Sequence, residues 1–180
     1  MVAPGPSRID IPACALVVLI GAAASGKSTF AARHFAADAI VSSDQLRTEV
    51  SGPTSNDLVF AELHRLVQAR LSAGLVIVVD ATNTDWMWRA QLVADARRYG
   101  RAAIAIVCNL PLELCLMRNA ARSRTIPELV IRRQVEAVTG DLDRLDLEGF
   151  AAVHILRSEA EVDAIALQIK EGPVTRALRS

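Results

Sequence analysis

Residues 14–29 of this chain read CALVVLIGAAASGKST, from Cys14 to Thr29. The first seven form an unbroken apolar run, which is typical of a strand buried on both faces of a parallel sheet. Gly21 and Gly26 follow, and the residues after Gly26 have the spacing of an amphipathic helix. The stretch therefore predicts a strand, a tight turn and a helix, which is the beginning of an α/β fold.

The turn has the spacing GxxxxGK[ST], which is the pattern of a phosphate-binding loop, or P-loop. A triphosphate must be wrapped by backbone N–H groups, so glycine is needed where the chain turns tightly, and the helix N-terminus adds partial positive charge. We expect Lys27 to reach the β- and γ-phosphates of ATP and the Ser28 hydroxyl to ligate Mg²⁺. The pattern does not specify the reaction, since kinases, ATPases and GTPases share it. The predicted nucleotide-binding set is Gly21, Ala24, Ser25, Gly26, Lys27, Ser28 and Thr29.

Short apolar runs alternate with longer amphipathic stretches along the rest of the chain, which is typical of βαβ units. We expect a five-stranded parallel sheet with helices on both faces and, numbering the predicted strands in chain order, the spatial order 2-3-1-4-5. The predicted strands span residues 14–20, 39–42, 75–80, 102–109 and 151–156. The predicted helices span residues 26–37, 55–73, 85–99, 111–121, 127–138 and 159–170.

Composition limits the domain organisation and the partners. The 180 residues, of which 52% are apolar, suffice for one substantial core. We expect a flexible proline-containing leader at 1–12, a single domain at 13–170 and a tail at 171–180. Acidic and basic residues balance at 20 each, which excludes a global field that attracts nucleic acid or membranes. The apolar runs are too short for a membrane span and the start has no signal pattern, so we expect a cytoplasmic protein without a membrane partner.

Polar residues follow two predicted strands at the carboxyl edge of the sheet, where ligands bind in α/β folds. Asp44 could accept the proton of an acceptor hydroxyl, although a helix N-cap role is equally compatible. Arg47, one helical turn later, could bind an acceptor phosphate. Asp80 fits the Walker-B role of holding the water around Mg²⁺, with capping of the next turn as the alternative, and Asn83 could contact the substrate or the region of Asp44.

A basic segment lies between residues 118 and 133, which contain five arginines and one acid. Arg118 and Arg122 are four residues apart, so on a helix they point the same way. Phosphoryl transfer needs positive charge at the developing anion, commonly delivered by a lid that closes over the site. We therefore predict an arginine-bearing lid at about 118–140, with a solvated basic face as the alternative.

Three aromatic residues are interpreted mainly as packing groups. His64 lies at helical spacing among apolar residues, which favours a packed histidine over a catalytic base. Trp86 and Trp88 begin a predicted helix only two positions apart, so both indoles cannot face the core. One of the two is therefore expected at a surface or a partner contact.

Four elements together resemble the 5′-hydroxyl polynucleotide kinase family, whose members include phage and bacterial end-healing enzymes. The similarity covers about residues 16–157. The Asp44 and Asp80 elements, combined with the paired arginines, are more specific to that family than the P-loop. The elements are Gly-x4-Gly-Lys-Ser-Thr-Phe from Gly21, Ser-Ser-Asp-x-x-Arg from Ser42, Asp-Ala-Thr-Asn from Asp80, and Arg-Asn-x-x-Arg from Arg118 followed by Ile126-Pro127.

The resemblance implies a three-layer P-loop kinase fold and transfer of the ATP γ-phosphoryl group to a 5′-hydroxyl end of RNA or DNA. It implies Lys27 and Ser28 on ATP–Mg²⁺ and Asp44 as general base. It also implies Arg47 on the phosphate next to the acceptor nucleoside. Asp80 and Asn83 would support the site, and Arg118 and Arg122 would clamp the phosphates from the lid.

Two other functions remain open. One is a small-molecule kinase acting on a sugar, nucleoside or antibiotic, and the other is a nucleotide-dependent binding module that hydrolyses ATP slowly.

One departure from the family pattern concerns residues 22–24, where alanines replace glycines that the loop often carries. Alanine is expected to be harmless there if these positions avoid positive φ.

Overall fold

The computed structural model describes residues 8–49 and 55–170, which fold into seven strands and seven α-helices. The strands are β1 (Arg8–Pro12), β2 (Leu16–Gly21), β3 (Ile40–Ser42), β4 (Ile77–Asp80), β5 (Ala103–Cys108), β6 (Ala152–Leu156) and β7 (Ala166–Lys170). The helices are α1 (Lys27–His34), α2 (Ser43–Glu49), α3 (Asn56–Ser72), α4 (Trp86–Arg98), α5 (Leu112–Ala120), α6 (Glu128–Asp141) and α7 (Glu159–Ala164).

Five strands form one parallel sheet in the order β3-β4-β2-β5-β6. This confirms the expected order 2-3-1-4-5. The central strand β2 pairs with β4 and β5, and all six of its residues are buried. Side chains alternate along it, so Leu16 and Val18 enter the core that α3 and α4 cover, while Val17 and Leu19 pack with Phe30 of α1 on the other face. A strand covered on both sides explains the unbroken apolar run.

Three helices begin at side-chain N-caps. Ser55 caps α3 by accepting from the Leu58 amide, Asp85 caps α4 by accepting from the Met87 amide, and Ser158 caps α7 by accepting from the Glu161 amide. Two helix ends differ from expectation by three residues. The helix predicted at 26–37 ends at His34, and the one predicted at 127–138 continues to Asp141.

Two expectations about the ends of the described chain are wrong. Arg8–Pro12, assigned to the flexible leader, forms β1, and the helix predicted at 159–170 ends at Ala164 and gives way to β7. The two strands pair in parallel as a separate two-stranded sheet. Ile9 and Ile11 are 2% and 0% exposed, so their alternation buries one face of β1 in the core. Residues 1–7 and 171–180, the rest of the leader and the tail, lie outside the described residues.

Two further findings concern membrane-spanning helices and the cysteines. Within the residues that the structure describes, no helix is both long enough and apolar enough to cross a membrane. All three cysteines are free thiols, and Cys108 and Cys115 are buried. Burial raises the pKa of Cys108 to about 11, which suits a packed neutral thiol.

Candidate active site

The P-loop joins β2 to α1 through a turn that requires glycine at both ends. A β-carbon at Gly21 would lie 2.7 Å from Ser25 Oγ and 2.9 Å from the Cys108 carbonyl oxygen, so no larger residue fits. Gly26 has φ 94° and precedes α1 without a side-chain cap. The first N–H groups of an uncapped helix have no intrahelical partners, and they suit the oxygens of a phosphate.

The alanines of the loop were expected to avoid positive φ, and Ala24 does not. Ala24 adopts φ 63°, in the left-handed region, and is 5% exposed. A side chain in this region costs about 1–2 kcal/mol relative to glycine. Residues in strained backbone persist where the surroundings impose the conformation, and such residues cluster at ligand-binding sites. The turn is therefore retained despite alanine, at a cost in stability.

Lys27 is buried within the loop, with 7% exposure. Its Nζ donates to the carbonyls of Gly21 at 2.9 Å and Ala22 at 2.7 Å. Burial lowers the pKa of Lys27, and the nearby negative charge of Asp80 opposes that shift. Asp80 itself ends β4 with 7% exposure. The ammonium group therefore lies inside the turn, near the carboxylate expected to face Mg²⁺.

A cavity of about 850 Å³ opens at the carboxyl ends of β2, β3 and β4. It brings together residues that are far apart in sequence, from the P-loop, α2, the end of β4 and the segment before α6. Gly21, Ser25, Thr29 and Arg118 are predicted site residues that do not line it. The predicted site residues on its wall are Ala24, Gly26, Lys27, Ser28, Asp44, Arg47, Asp80, Asn83 and Arg122.

Asp44 and Arg47 both belong to α2 and line the cavity. Asp44 is exposed at the second position of α2, and no described amide donates to its carboxylate, so the capping alternative lacks a partner. Arg47 Nη2 donates to Asn56 Oδ1 at 2.7 Å. No carboxylate among the described residues pairs with Arg47, which leaves a guanidinium with spare donors on the cavity wall.

Asn83 has a structural partner that the sequence did not indicate. Its Nδ2 donates to the Leu19 carbonyl at 2.7 Å, and the residue is 2% exposed with φ 48°. The expected substrate contact is therefore not the role of this amide nitrogen, which fastens the segment after β4 to β2. Asn83 Oδ1 is buried and has no partner among the described residues.

The predicted lid consists of the end of α5, a loop and α6. Asn119 closes the loop on itself, because its Nδ2 donates to the Ile126 carbonyl at 2.8 Å and its Oδ1 accepts from the Ile126 amide at 2.9 Å. Arg122 reaches the cavity wall. Arg118 lies elsewhere: it pairs with Glu159, and its Nη1 would be 3.2 Å from a β-carbon at Gly26. The two arginines therefore approach the P-loop from different positions.

Two more contacts that the sequence did not reveal connect the lid to the site. Gln134 of α6 accepts at 2.8 Å from the amide of Ala23 in the P-loop. Arg89 of α4, with 0% exposure, donates to Glu148 at 2.7 Å and Asp141 at 2.7 Å, and to the Asn83 carbonyl at 3.0 Å. Burial alone would lower the pKa of Arg89, but the two carboxylates outweigh burial and raise that pKa.

A signal for Arg89 exists in the sequence. It stands three, four and seven residues before Leu92, Val93 and Ala96, which are the buried residues of α4. An arginine on the buried face of a helix must find acceptors. No comparable signal marks Gln134 or Asn119, because a polar residue in an amphipathic helix has many possible partners.

The aromatic residues separate into two groups. Trp86 is 55% exposed, whereas Trp88 is half-buried and lines the cavity together with Phe60. Their rings stack with centroids 4.5 Å apart and planes inclined by 15°. His64 lies outside the cavity wall, with Nδ1 3.0 Å from Asp95 Oδ2, as a packed histidine would.

Comparison with known protein families assigns the chain to a broad family. The model of the AAA domain family matches residues 16–145, more than half of the chain. The chain belongs to this family. The match spans β2 to the turn after α6 and so contains the P-loop, Asp44, Asp80 and both lid arginines. No curated protein shows significant similarity to this AAA domain.

Solved structures with the same fold include several kinases. A chain of the Pnkp1/Rnl/Hen1 RNA repair complex superposes with a TM-score of 0.62 at 21% identity, over 81% of this AAA domain and 48% of that chain. A gluconokinase from Sinorhizobium meliloti 1021 gives 0.55 at 15% identity over 84% and 89%. The APS kinase CysC from Mycobacterium tuberculosis gives 0.54 at 17% identity over 84% and 92%. The fold is therefore that of P-loop kinases.

Proposed function

We propose that this AAA domain transfers the γ-phosphoryl group of ATP to the 5′-hydroxyl of an RNA or DNA strand. The observation that carries the proposal is the placement of Arg47. Its guanidinium shares a cavity with Asp44 and Lys27, and its hydrogen-bond partner among the described residues is the neutral amide of Asn56. A polynucleotide has a phosphate beyond the sugar that bears the 5′-hydroxyl, and Arg47 offers the charge and geometry to bind it.

The residues fit ATP and Mg²⁺. Two glycines shape the turn, α1 begins without a side-chain cap, and the exposed Ser28 hydroxyl and the Asp80 carboxylate stand on the same cavity wall. Ser28 would ligate Mg²⁺ directly, and Asp80 would hold it through water. The ion would neutralise charge on the β- and γ-phosphates.

The chain's own groups divide the chemistry among them. Lys27 would exchange its carbonyl partners for phosphate oxygens, and the N–H groups at the start of α1 would donate to the same oxygens. Asp44 would orient the 5′-hydroxyl and take its proton as the new P–O bond forms and the bond to ADP breaks. Arg122 would stabilise the charge on the phosphoryl group in transit. No covalent bond to the protein is required, because positioning and charge stabilisation dominate such transfers.

Two lines of support come from similarity. The four sequence elements resemble 5′-hydroxyl polynucleotide kinases, and one chain with the same fold belongs to an RNA repair complex.

A small-molecule kinase is the second candidate. A cavity of about 850 Å³ is in the size range of small-molecule sites, the formal net charge is zero, and a gluconokinase shares the fold.

The test compares a nucleoside 3′-phosphate with the bare nucleoside as acceptors for labelled ATP. A charge-assisted contact contributes about 1.5–3 kcal/mol, so we expect the phosphorylated acceptor to be preferred by at least about tenfold in kcat/KM. Arg47→Ala should erase most of that preference. Arg65→Ala is the control, because Arg65 is an exposed arginine of α3 that pairs with Glu62 outside the cavity.

The possible results separate the candidates. Equal rates on both acceptors, or a preference that survives Arg47→Ala, would favour the small-molecule kinase. Steady ATP hydrolysis without transfer to any hydroxyl would favour a nucleotide-dependent binding module.

A further inference from the structure

The stacked pair of Phe60 and Trp88 is not explained by the proposed chemistry. Both rings are half-buried and line the cavity that contains Asp44. The rings stack against each other with centroids 4.5 Å apart, so each covers one face of the other, and the parts of the pair that line the cavity form a small aromatic surface from residues of two helices. Phe60 also packs against the main core, yet both rings border the polar cavity.

Polar contacts behind the pair hold α3 against α4. His64, one turn after Phe60, has its ring centroid 5.8 Å from that of Trp88 and its Nδ1 3.0 Å from Asp95 Oδ2. Gln68 Nε2 donates to the other oxygen of Asp95 at 2.9 Å. Because these contacts fix the spacing of the two helices, a ligand that packs on the aromatic surface would not have to order it first.

The aromatic surface lies close to the candidate phosphate ligand. Asn56, which accepts from Arg47, is four residues before Phe60 on α3, and both line the cavity. Residues four apart share a helix face, so the guanidinium and the aromatic surface are neighbours. A basic group beside aromatic rings that line a cavity is the combination that single-stranded nucleic acid sites use, with stacking for bases and positive charge for the backbone.

We propose that the nucleobase of the acceptor's 5′-terminal nucleotide stacks on the aromatic surface of the Phe60–Trp88 pair, while Arg47 binds the phosphate that follows it. This proposal rests on the proposed function and specifies the acceptor: the terminal nucleotide carries a base. Stacking tolerates all four bases because each has a π-face, so the domain should prefer base-bearing ends without reading their sequence.

The first test uses two 5′-hydroxyl oligonucleotides that are identical except for an abasic residue at the 5′ terminus of one. Loss of stacking on one aromatic residue lowers affinity roughly 5- to 150-fold. We expect the abasic acceptor to have a lower kcat/KM by a factor in this range, mainly through KM. Trp88→Leu should reduce kcat/KM for the base-bearing acceptor to near the abasic level, and Trp86→Leu should leave both unchanged because Trp86 is not on the cavity wall.

The second test keeps Trp88 in place and does not depend on turnover. The chain has two tryptophans, so Trp86→Phe leaves Trp88 as its single indole. Titration of this variant with the base-bearing oligonucleotide, without ATP, should quench its fluorescence, and the abasic one should quench it far less. In Trp88→Phe the remaining Trp86 should respond to neither.

The outcomes of the two proposals can be distinguished. Phosphorylation of both oligonucleotides with equal kcat/KM, without quenching of Trp88, would overturn the stacking proposal and leave the proposed function standing. Absence of transfer to either oligonucleotide, with transfer to a sugar, would overturn both. If Trp88→Leu fails to fold, the fluorescence titration of Trp86→Phe decides the stacking proposal by itself.

Discussion

At the scale of single residues, the site is held together by side chains that bind backbone. Lys27 donates to carbonyls of its own loop, and Asn83 donates to the Leu19 carbonyl of the strand that leads into that loop. Backbone contacts of this kind fix a turn more firmly than contacts between mobile side chains. The loop that Lys27 binds also contains Ala24, which adopts φ 63°.

Asp44 provides the sharpest test at this scale. Because its carboxylate has no described hydrogen-bond partner, Asp44→Asn should leave the melting temperature nearly unchanged. We expect ATP affinity to stay within a few-fold while kcat falls by roughly 10²–10⁴, the usual contribution of a general base. Asp57→Asn, an exposed acid of α3, is the control. A variant that unfolds instead would show that Asp44 supports the start of α2.

At the scale of elements, α6 is the part of the predicted lid with the most contacts to the candidate site. Gln134 binds the Ala23 amide near its middle, and Asp141 at its end binds Arg89. In the loop before it, the side-chain hydrogen bonds among the described residues are the two between Asn119 and Ile126. We therefore expect movement of the lid to be concentrated between α5 and α6, where Arg122 stands.

The two lid arginines should affect turnover more than ATP binding. A group that meets the phosphoryl group in transit acts mainly in the transition state, so we expect Arg122→Ala to lower kcat by about 10²–10³ with a small change in nucleotide affinity. Arg118→Ala should also lower kcat. Arg132→Ala serves as control, since Arg132 is exposed on α6 and pairs with Glu128. Parent-like kinetics in both test variants would leave the segment as a solvated basic face.

Arg89 of α4 binds Asp141, Glu148 and the Asn83 carbonyl, so we expect its replacement to lower the free energy of unfolding. Arg89→Leu would leave Asp141, Glu148 and the Asn83 carbonyl without their donor, and breaking a buried ion pair costs about 3–5 kcal/mol. Urea unfolding would measure this loss. Arg98→Leu, at an exposed position of the same helix, should change the unfolding free energy by less than about 0.5 kcal/mol. Similar values for the two variants would contradict a structural role for the buried network.

At the scale of the whole molecule, β1 and β7 join segments at opposite ends of the described chain. Arg8 pairs with Ala166 and Pro12 with Lys170. Asp10 accepts from Lys170 Nζ at 2.9 Å, and this contact lowers the pKa of Asp10. The buried face of the small sheet completes the core that also contains Phe30.

Ile11 and Ile169 allow a matched test of this sheet, because they are partners in the ladder. Ile11 is 0% exposed and Ile169 is 39% exposed. Ile11→Ala should therefore cost about 2–5 kcal/mol of unfolding free energy, and Ile169→Ala less than about 1 kcal/mol. Chemical denaturation of both variants measures the difference. Equal, small losses would mean that β1 contributes little to the fold.

The sequence predicted what local signals specify. The central sheet follows from apolar runs, and the P-loop follows from fixed glycine spacing. The β1–β7 sheet could not be predicted, because each strand is a short alternating segment whose partner lies more than 150 residues away. The Arg89 network also depends on acceptors from remote positions, Asp141 and Glu148. In the site, the sequence predicted that Asp44 and Arg47 lie at the carboxyl edge of the sheet. It did not predict that Asn83 binds the Leu19 carbonyl.

The pairing of β1 with β7 has a consequence for how the nascent chain folds. A ribosome releases β1 first, yet the strand that pairs with it follows only after β2 to β6 have emerged. The central sheet contains pairs such as β2 with β4 that can form earlier, because their separation along the chain is much shorter. Ile9 and Ile11 therefore remain without their partner strand until residues 166–170 have left the ribosome, and closure of the small sheet is a late step in burying this apolar segment.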